Sequence, residues 1–308
     1  MNQITPMNGL FAAEYFDMAS EEIGETFRIF VARPQVFEPG KKYPAIYVLD
    51  GNFMFAPVME MQRAMAMSSE IPQAWVIGVG YAVEGGYLET INKRNRDYTP
   101  TSGGMFEIAM KRQILPEASF QYGGGPGFLK FLQEELKPAV EAAYSVDPDD
   151  STIAGHSYGG LFSSWVLLTR SEAFQRYILC SPSIHWDGEA IWQWEARCAG
   201  ERKDIHATVF VTAGGHETVE CIKMQMEGLM SHEDGALKAQ VETIFALSEK
   251  YGWRRMAEIS PEFAEKLKSR NYPSLNIHCH NLPDETHMSV WPGAMSRGLR
   301  YVFGNWNP

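Results

Sequence analysis

Apolar and polar positions alternate from Thr26 to Val31 around Phe27, Ile29 and Val31, a period of two that predicts a half-buried antiparallel strand in an opening edge hairpin. A turn-rich connection, Pro34 to Lys42, follows it. Tyr43 to Leu49, Trp75 to Gly80, Tyr177 to Cys180 and Ala207 to Thr212 are instead nearly continuous apolar runs, the pattern of strands buried on both faces. Ile153-Ala154, after a loop at Asp147 to Asp150, predicts a further buried strand, and Leu275 to His280 the last one. Between these runs the spacing turns helical at Phe128, Phe131, Leu132, Leu136 and Val140, and again at Leu161, Phe162, Trp165, Val166, Leu167 and Leu168. Phe53 to Met67 carries more methionine and aromatic residues than one narrow stripe requires; most are expected in the core, some along a pocket for a bulky substrate. Strands alternating with helices predict an α/β fold, a mostly parallel central sheet with helices on both faces. Residues 219 to 272 read as helical, surface-charged excursions that suit a cap or lid.

Length and composition narrow the picture. The 308 residues, 45% of them hydrophobic, suit one large domain, and no linker or repeat divides them. A formal net charge of −11 argues against a nucleic-acid partner, which would need clustered Lys and Arg. Residues 1 to 20 lack a basic segment followed by an apolar core, and no run reaches membrane-spanning length, so the expectation is a cytoplasmic protein with no membrane partner. Cys180, Cys198, Cys221 and Cys279 are widely spaced and read as free structural thiols. No histidine pair has a metal-ligand spacing, so neither metal nor cofactor is expected. The sequence leaves the oligomeric state open.

The chemistry centres on Gly155-His156-Ser157-Tyr158-Gly159, a Gly-x-Ser-x-Gly turn between a predicted strand and a predicted helix. That is the form of a nucleophile elbow, in which glycines at 155 and 159 make room for a strained turn and Ser157 is pushed outward as nucleophile. The N–H of Tyr158, at the positive end of the following helix, falls where an oxyanion forms. The loop after the Tyr43–Leu49 strand, Asp50-Gly51-Asn52, offers the second oxyanion donor from Gly51 or Asn52, with Phe53 beside it; a glycine there lets the backbone approach substrate closely. His287, in the loop after the last strand, stands where a general base belongs. Glu217, directly after the Ala207–Thr212 strand, suits the chain order serine, acid, histidine. Glu220 and Asp187 remain alternatives for the acid and His216 for the base. His278 and His280 alternate within a strand and read as structural, while His156 is expected to support the elbow. In a loop-like stretch from Lys93 to Pro100, Arg96 reads as an internal partner of Asp97 and Arg94 as a clamp for a substrate carboxylate or phenolate. His185 and Trp186, at a strand end, are expected to wall the site. Gly123 to Gly127 lacks the ending of a phosphate loop and reads as a helix lead-in.

The residues Tyr43 to Asn52, Arg94 to Pro100, Gly155 to Gly160, Ser181-Pro182-Ser183, Gly214 to Thr218 and Glu285 to Val290 resemble, in combination, the esterase family of α/β-hydrolases that includes the enterobactin, salmochelin and bacillibactin trilactone esterases. The resemblance implies an α/β-hydrolase fold with nucleophile Ser157, base His287, acid at or near Glu217, and oxyanion donors from the Gly51 loop and Tyr158. The expectation is a cofactor-independent serine hydrolase that cleaves a small-molecule carboxylic ester through an acyl-enzyme, with siderophore trilactones as leading substrates. Acyl transfer or thioester hydrolysis on the same scaffold, and a non-catalytic ligand-binding module, are the alternatives. The family often has Trp-Trp after Ser-Pro-Ser, where this chain has Ile184-His185-Trp186.

Overall fold

The structure, a computed structural model, describes residues 4–83, 86–114, 121–232 and 234–304. Among the described residues nine strands form one sheet: β1 Thr5–Pro6, β2 Ala13–Ala19, β3 Thr26–Ala32, β4 Tyr43–Val48, β5 Trp75–Tyr81, β6 Val146–His156, β7 Arg176–Cys180, β8 Ala207–Thr212 and β9 Leu275–Cys279. Their order is β1-β2-β3-β5-β4-β6-β7-β8-β9, antiparallel from β1 through β5 and parallel from β5 to β9. The protein therefore has the mostly parallel sheet of an α/β-hydrolase. The buried apolar runs lie where burial on both faces demands them: every residue of β5 is buried, as are the last six of β6.

Helices cover both faces. Gly51–Met67 and Val290–Val302 pack on one, with Phe55, Val58, Met59, Trp291, Met295 and Leu299 buried against Ile46, Val48 and Ile178. The helical segments from Gly125 to Ala143, the elbow helix Tyr158–Thr169 and the helix Ile191–Glu201 pack on the other, where Phe128 meets Phe162 edge-on with ring centroids 5.1 Å apart. Helix Gly51–Met67 leads from β4 to β5 while the elbow helix leads from β6 to β7, so the chain diverges in opposite directions from two adjacent strands. A crevice beyond the carboxyl ends of β4 and β6 follows from that topology, and ligands bind there in open α/β sheets.

The structure departs from the sequence expectations at four places. β3 is flanked on both sides, by β2 and β5, so the opening strands are a three-stranded antiparallel extension rather than an edge hairpin. Residues 93 to 97, within the stretch from Lys93 to Pro100 expected to be loop-like, belong to the helix Tyr87–Asp97. Asp147 to Asp150 belong to β6, across a register irregularity opposite Tyr43 and Ala45. The helical stretch from 219 to 272 divides in two. Helix Val219–His232 buries no residue and packs with Gly235–Tyr251, which also meets helix Met105–Ile114, whereas Met256–Ser269 buries Ile259, Phe263, Ala264 and Leu267 against β8 and β9 and is part of the core.

Candidate active site

Ser157 sits between β6 and the elbow helix at φ 59° and ψ −118°, a backbone state that an L-residue adopts only where its surroundings impose it. The imposing contacts are local: its N–H donates to the carbonyl of Cys180 at 3.0 Å, and its own carbonyl accepts from Leu161 and Ser183 N–H at 2.9 and 3.1 Å. A Cβ on Gly155 would lie 2.3 Å from the carbonyl oxygen of Gly159, so that glycine is obligatory as expected. Gly159 is not the second. Its Cβ would make ordinary contact with Leu49 at 3.4 Å, whereas one on Gly160 would meet Pro182 Cα at 2.8 Å. The tight approach of the turn is thus to the Ser181-Pro182-Ser183 segment, and the Ser157 hydroxyl lies 3.4 Å from Ser183 Oγ.

The expected base and acid come together across 70 residues. His287 lies in the turn preceding helix Val290–Val302, and its Nδ1 is 2.7 Å from Glu217 Oε2. Two further donors hold Oε1 of Glu217: Ser181 Oγ at 2.5 Å and Gly214 N–H at 2.7 Å. The carboxylate is 1% exposed. Burial alone would raise its pKa, but His287, Ser181 and Gly214 together hold it below the usual carboxylate range. Glycine makes this docking possible: a Cβ on Gly214 would lie 2.3 Å from Glu285 O, and one on Gly215 would lie 2.2 Å from Pro283 O. The two loops are then stitched by Gly215 N–H to Leu282 O and His216 N–H to Glu285 O, at 2.7 and 3.0 Å.

His156 supports the loop of His287 as well as the elbow. Its Nε2–H donates to the carbonyl of His287 at 2.7 Å, and the two rings lie 4.6 Å apart. Burial, with the neighbouring His287, pushes its pKa down to about 4, so it stays a neutral donor. His216 is exposed, and His278 packs its ring against Phe210 and Tyr301, away from the elbow. Of the alternative acids, Asp187 accepts from Thr101 and Glu220 is exposed.

The elbow helix begins with Tyr158, and helix Gly51–Met67 begins with Gly51 and Asn52; the first N–H groups of a helix have no acceptor within it. The two helix starts adjoin, since a Cβ on Gly159 would lie 3.4 Å from the Leu49 side chain and 3.6 Å from the Asp50 carboxylate. Gly51 has a packing reason of its own. A Cβ there would collide with the β5 backbone, 2.8 Å from Gly78 C, so the glycine lets the helix pack on the sheet. The Asn52 side chain is taken up by Tyr81, donating to its carbonyl at 3.0 Å and accepting from its N–H at 2.8 Å, which leaves the residue its backbone N–H.

The remaining expected contacts divide. Arg94 directs Nε and Nη2 onto the two oxygens of Asp50 at 2.7 and 2.9 Å, and the pair is 11% and 4% exposed. Those forked donors are engaged by Asp50, before helix Gly51–Met67, and not held open to a substrate, which corrects the clamp expectation. Arg96 pairs with Asp97 as expected. Trp186, expected as a wall, is 1% exposed; its indole N–H donates to Thr101 Oγ1 at 2.9 Å, and its ring lies between Tyr122 and Tyr158 at 5.0 and 5.3 Å. It backs Tyr158 from behind. Phe53 is 41% exposed at the start of its helix. His185 Nδ1 is buried without a hydrogen-bond partner, and burial together with Arg254, His287 and Arg255 pushes its pKa down to about 3. Tyr122 also lines a cleft of about 800 Å³ with Ser102, Ile108 and Arg112. Sequence reasoning missed the roles of Asp50, Ser181 and Gly214; the signal available was their position at the ends of β4, β7 and β8, beside the elbow.

Among known proteins, a model of the "Putative esterase" family matches residues 20–243. The ferri-bacillibactin esterase BesA of Bacillus subtilis is 30% identical over 289 residues, covering 92% of this chain and 87% of that one. The siderophore triacetylfusarinine C esterase of Aspergillus fumigatus is 28% identical over 295 residues, covering 92% and 90%. The crystal structure of the BES protein from Bacillus cereus superposes with a TM-score of 0.70 at 27% identity, covering 97% of each chain.

Proposed function

The chain belongs to the "Putative esterase" family of carboxylic ester hydrolases, and from that premise we propose that it cleaves its ester by a Ser157–His287–Glu217 triad through an acyl-enzyme. The observation that carries the reading is the 2.7 Å contact of His287 Nδ1 with a buried Glu217 carboxylate, on the loop that His156 ties to the elbow of Ser157. With Nδ1–H donated to Glu217, His287 Nε2 is the lone pair that takes the Ser157 proton as Oγ attacks the ester carbonyl. The developing oxyanion is received by the N–H of Tyr158 and by that of Gly51 or Asn52, at two helix N-termini whose dipoles favour negative charge. His287 then returns the proton to the leaving alcohol, and water activated by the same nitrogen releases the acid.

The substrate reading comes from the relatives, whose names specify siderophore esters, so a siderophore ester is the proposed substrate class. Phe53 and His185 are the proposed substrate contacts, and helices Val219–His232 and Gly235–Tyr251 the proposed cap of a single catalytic domain. Intact-mass spectrometry after fluorophosphonate treatment, with p-nitrophenyl ester hydrolysis alongside, tests the reading. The wild type gains one adduct and turns over, while Ser157→Ala does neither and His287→Ala labels at a small fraction of the wild-type rate. A folded wild type that neither labels nor hydrolyses would overturn it.

A further inference from the structure

Ser181 is the first residue after β7, the strand lying between β6, which ends at the elbow, and β8, which leads to Glu217. It is fully buried, and its backbone is in the left-handed region at φ 40°. Glycine occupies that region without penalty, and an L-residue does not. What serine has there and glycine lacks is the hydroxyl, and that hydroxyl donates to Glu217 Oε1 at 2.5 Å. The Ser181 N–H is fixed to Thr212 O at 2.7 Å, so the donor is anchored to the same strand that carries the acid.

We propose that Ser181 is a positioning residue: its hydroxyl, with the N–H of Gly214, pins Oε1 of Glu217 so that Oε2 faces His287 Nδ1 and the carboxylate keeps a moderated charge. The assignment rests on the triad reading above. A carboxylate held by two donors on one oxygen has its plane set and part of its charge withdrawn from the other. Removing the hydroxyl concentrates charge on Oε2, makes the carboxylate more basic and favours the imidazolium of His287. The ionisable groups that act on the pair include His156 and the buried Cys180 thiol from the strand ends, and His185, itself beside Arg254 and Arg255, from the loops above. Of these, the Cys180 thiol also hydrogen-bonds the Ser181 side chain; burial holds its pKa well above the ordinary thiol value, so it carries no charge with or without that contact.

The experiment follows the His287 imidazole by NMR titration in the wild type, Ser181→Ala and Ser181→Gly, with its resonance assigned by its absence in His287→Gln. In both variants the His287 pKa rises by about half a pH unit or more, the shift expected from losing one net hydrogen bond to a charged partner. The acid limb of kcat/KM for p-nitrophenyl acetate moves up with it. Ser183→Ala leaves both donors of Glu217 in place and does not move the titration. A merely structural Ser181 would lower the melting temperature and leave the titration unchanged. Ser181→Gly relieves the left-handed strain, so it decides the matter if Ser181→Ala does not fold. A wild-type titration retained in Ser181→Gly would overturn the proposal. Absence of turnover in the wild type would instead overturn the esterase reading, while the titration still judges Ser181.

Discussion

Asp50 and Arg94 form a buried, bidentate ion pair at the start of helix Gly51–Met67, and breaking it from one side exposes how the proposed oxyanion loop is held. Arg94→Met keeps most of the side-chain volume but strands the Asp50 carboxylate without its counter-charge. Asp50→Asn strands the guanidinium; asparagine is the right substitution because Asp50 has φ 55°, which Asn tolerates better than Ala. Removing one partner of a buried pair costs about 3–5 kcal/mol, whereas replacing both with neutral groups is often close to neutral. At about 2.1 cal/mol/K of unfolding entropy per residue, a chain of 308 residues loses roughly 5–8 °C in melting temperature for each single variant. The double variant Asp50→Asn/Arg94→Met returns to within about 3 °C of the wild type. Differential scanning fluorimetry and urea unfolding read the cycle, and kcat measured at 25 °C, where all four proteins are folded, reads the loop. An oxyanion donor is worth about 10²–10³ in kcat, so, with Gly51 or Asn52 in the proposed oxyanion role, displacing their N–H groups lowers kcat in both single variants by at least about tenfold. Single variants that melt within a degree of the wild type, or a double variant whose loss equals the sum of the two, would refute the argument that this pair is mutually dependent.

The docking of the two loops makes Gly215→Ala and Gly214→Ala strongly deleterious. Their Cβ atoms would meet backbone carbonyls at 2.2 and 2.3 Å, so kcat/KM falls at least about a hundredfold as His287 separates from Glu217, and wild-type kinetics in either variant would contradict the close approach. Stability falls on the acid side through His156. Its folded pKa of about 4 lies below the unfolded value near 6.5, so its contribution is complete above pH 6.5 and is lost as the pH falls towards 4, a change of roughly 3 kcal/mol. His156→Gln flattens that part of the melting-temperature profile, and an unchanged slope would show that His156 is not the group responsible. Trp186→Phe lowers stability by about 1–2 kcal/mol through the lost hydrogen bond to Thr101 and the smaller ring, and leaves KM within about twofold. A large rise in KM would restore Trp186 to the substrate wall.

What the sequence discloses depends on how local the cause is. The buried strands are legible because burial on both faces writes an apolar run into five or six consecutive residues, and Ser157 and Glu217 can be singled out as candidates because each follows such a run; the strand before His287 buries only Ile277, so that candidate rests on its place in the loop after the last strand. The helix Tyr87–Asp97 is not: it has no apolar stripe, and it buries Thr90, Asn95 and Asp97 while Arg94 and Arg96 reach their carboxylates. Its conformation depends on partners such as Asp50, 44 residues away, which no local pattern reports. Helix Met256–Ser269 does carry a legible stripe, with Ile259, Phe263 and Leu267 four apart, and that stripe is what separates it from the two helices before it. Strand β2 escapes for the opposite reason, since only Ala13 and Phe16 of its seven residues are buried and no alternation survives. Trp186 misleads because a strand end locates a residue near the crevice without saying which way its side chain faces. The same rule explains why Ser181 passes unnoticed: its side chain acts on Glu217 through strand order, and strand order is the one property of a parallel sheet that hydrophobic patterning alone does not encode.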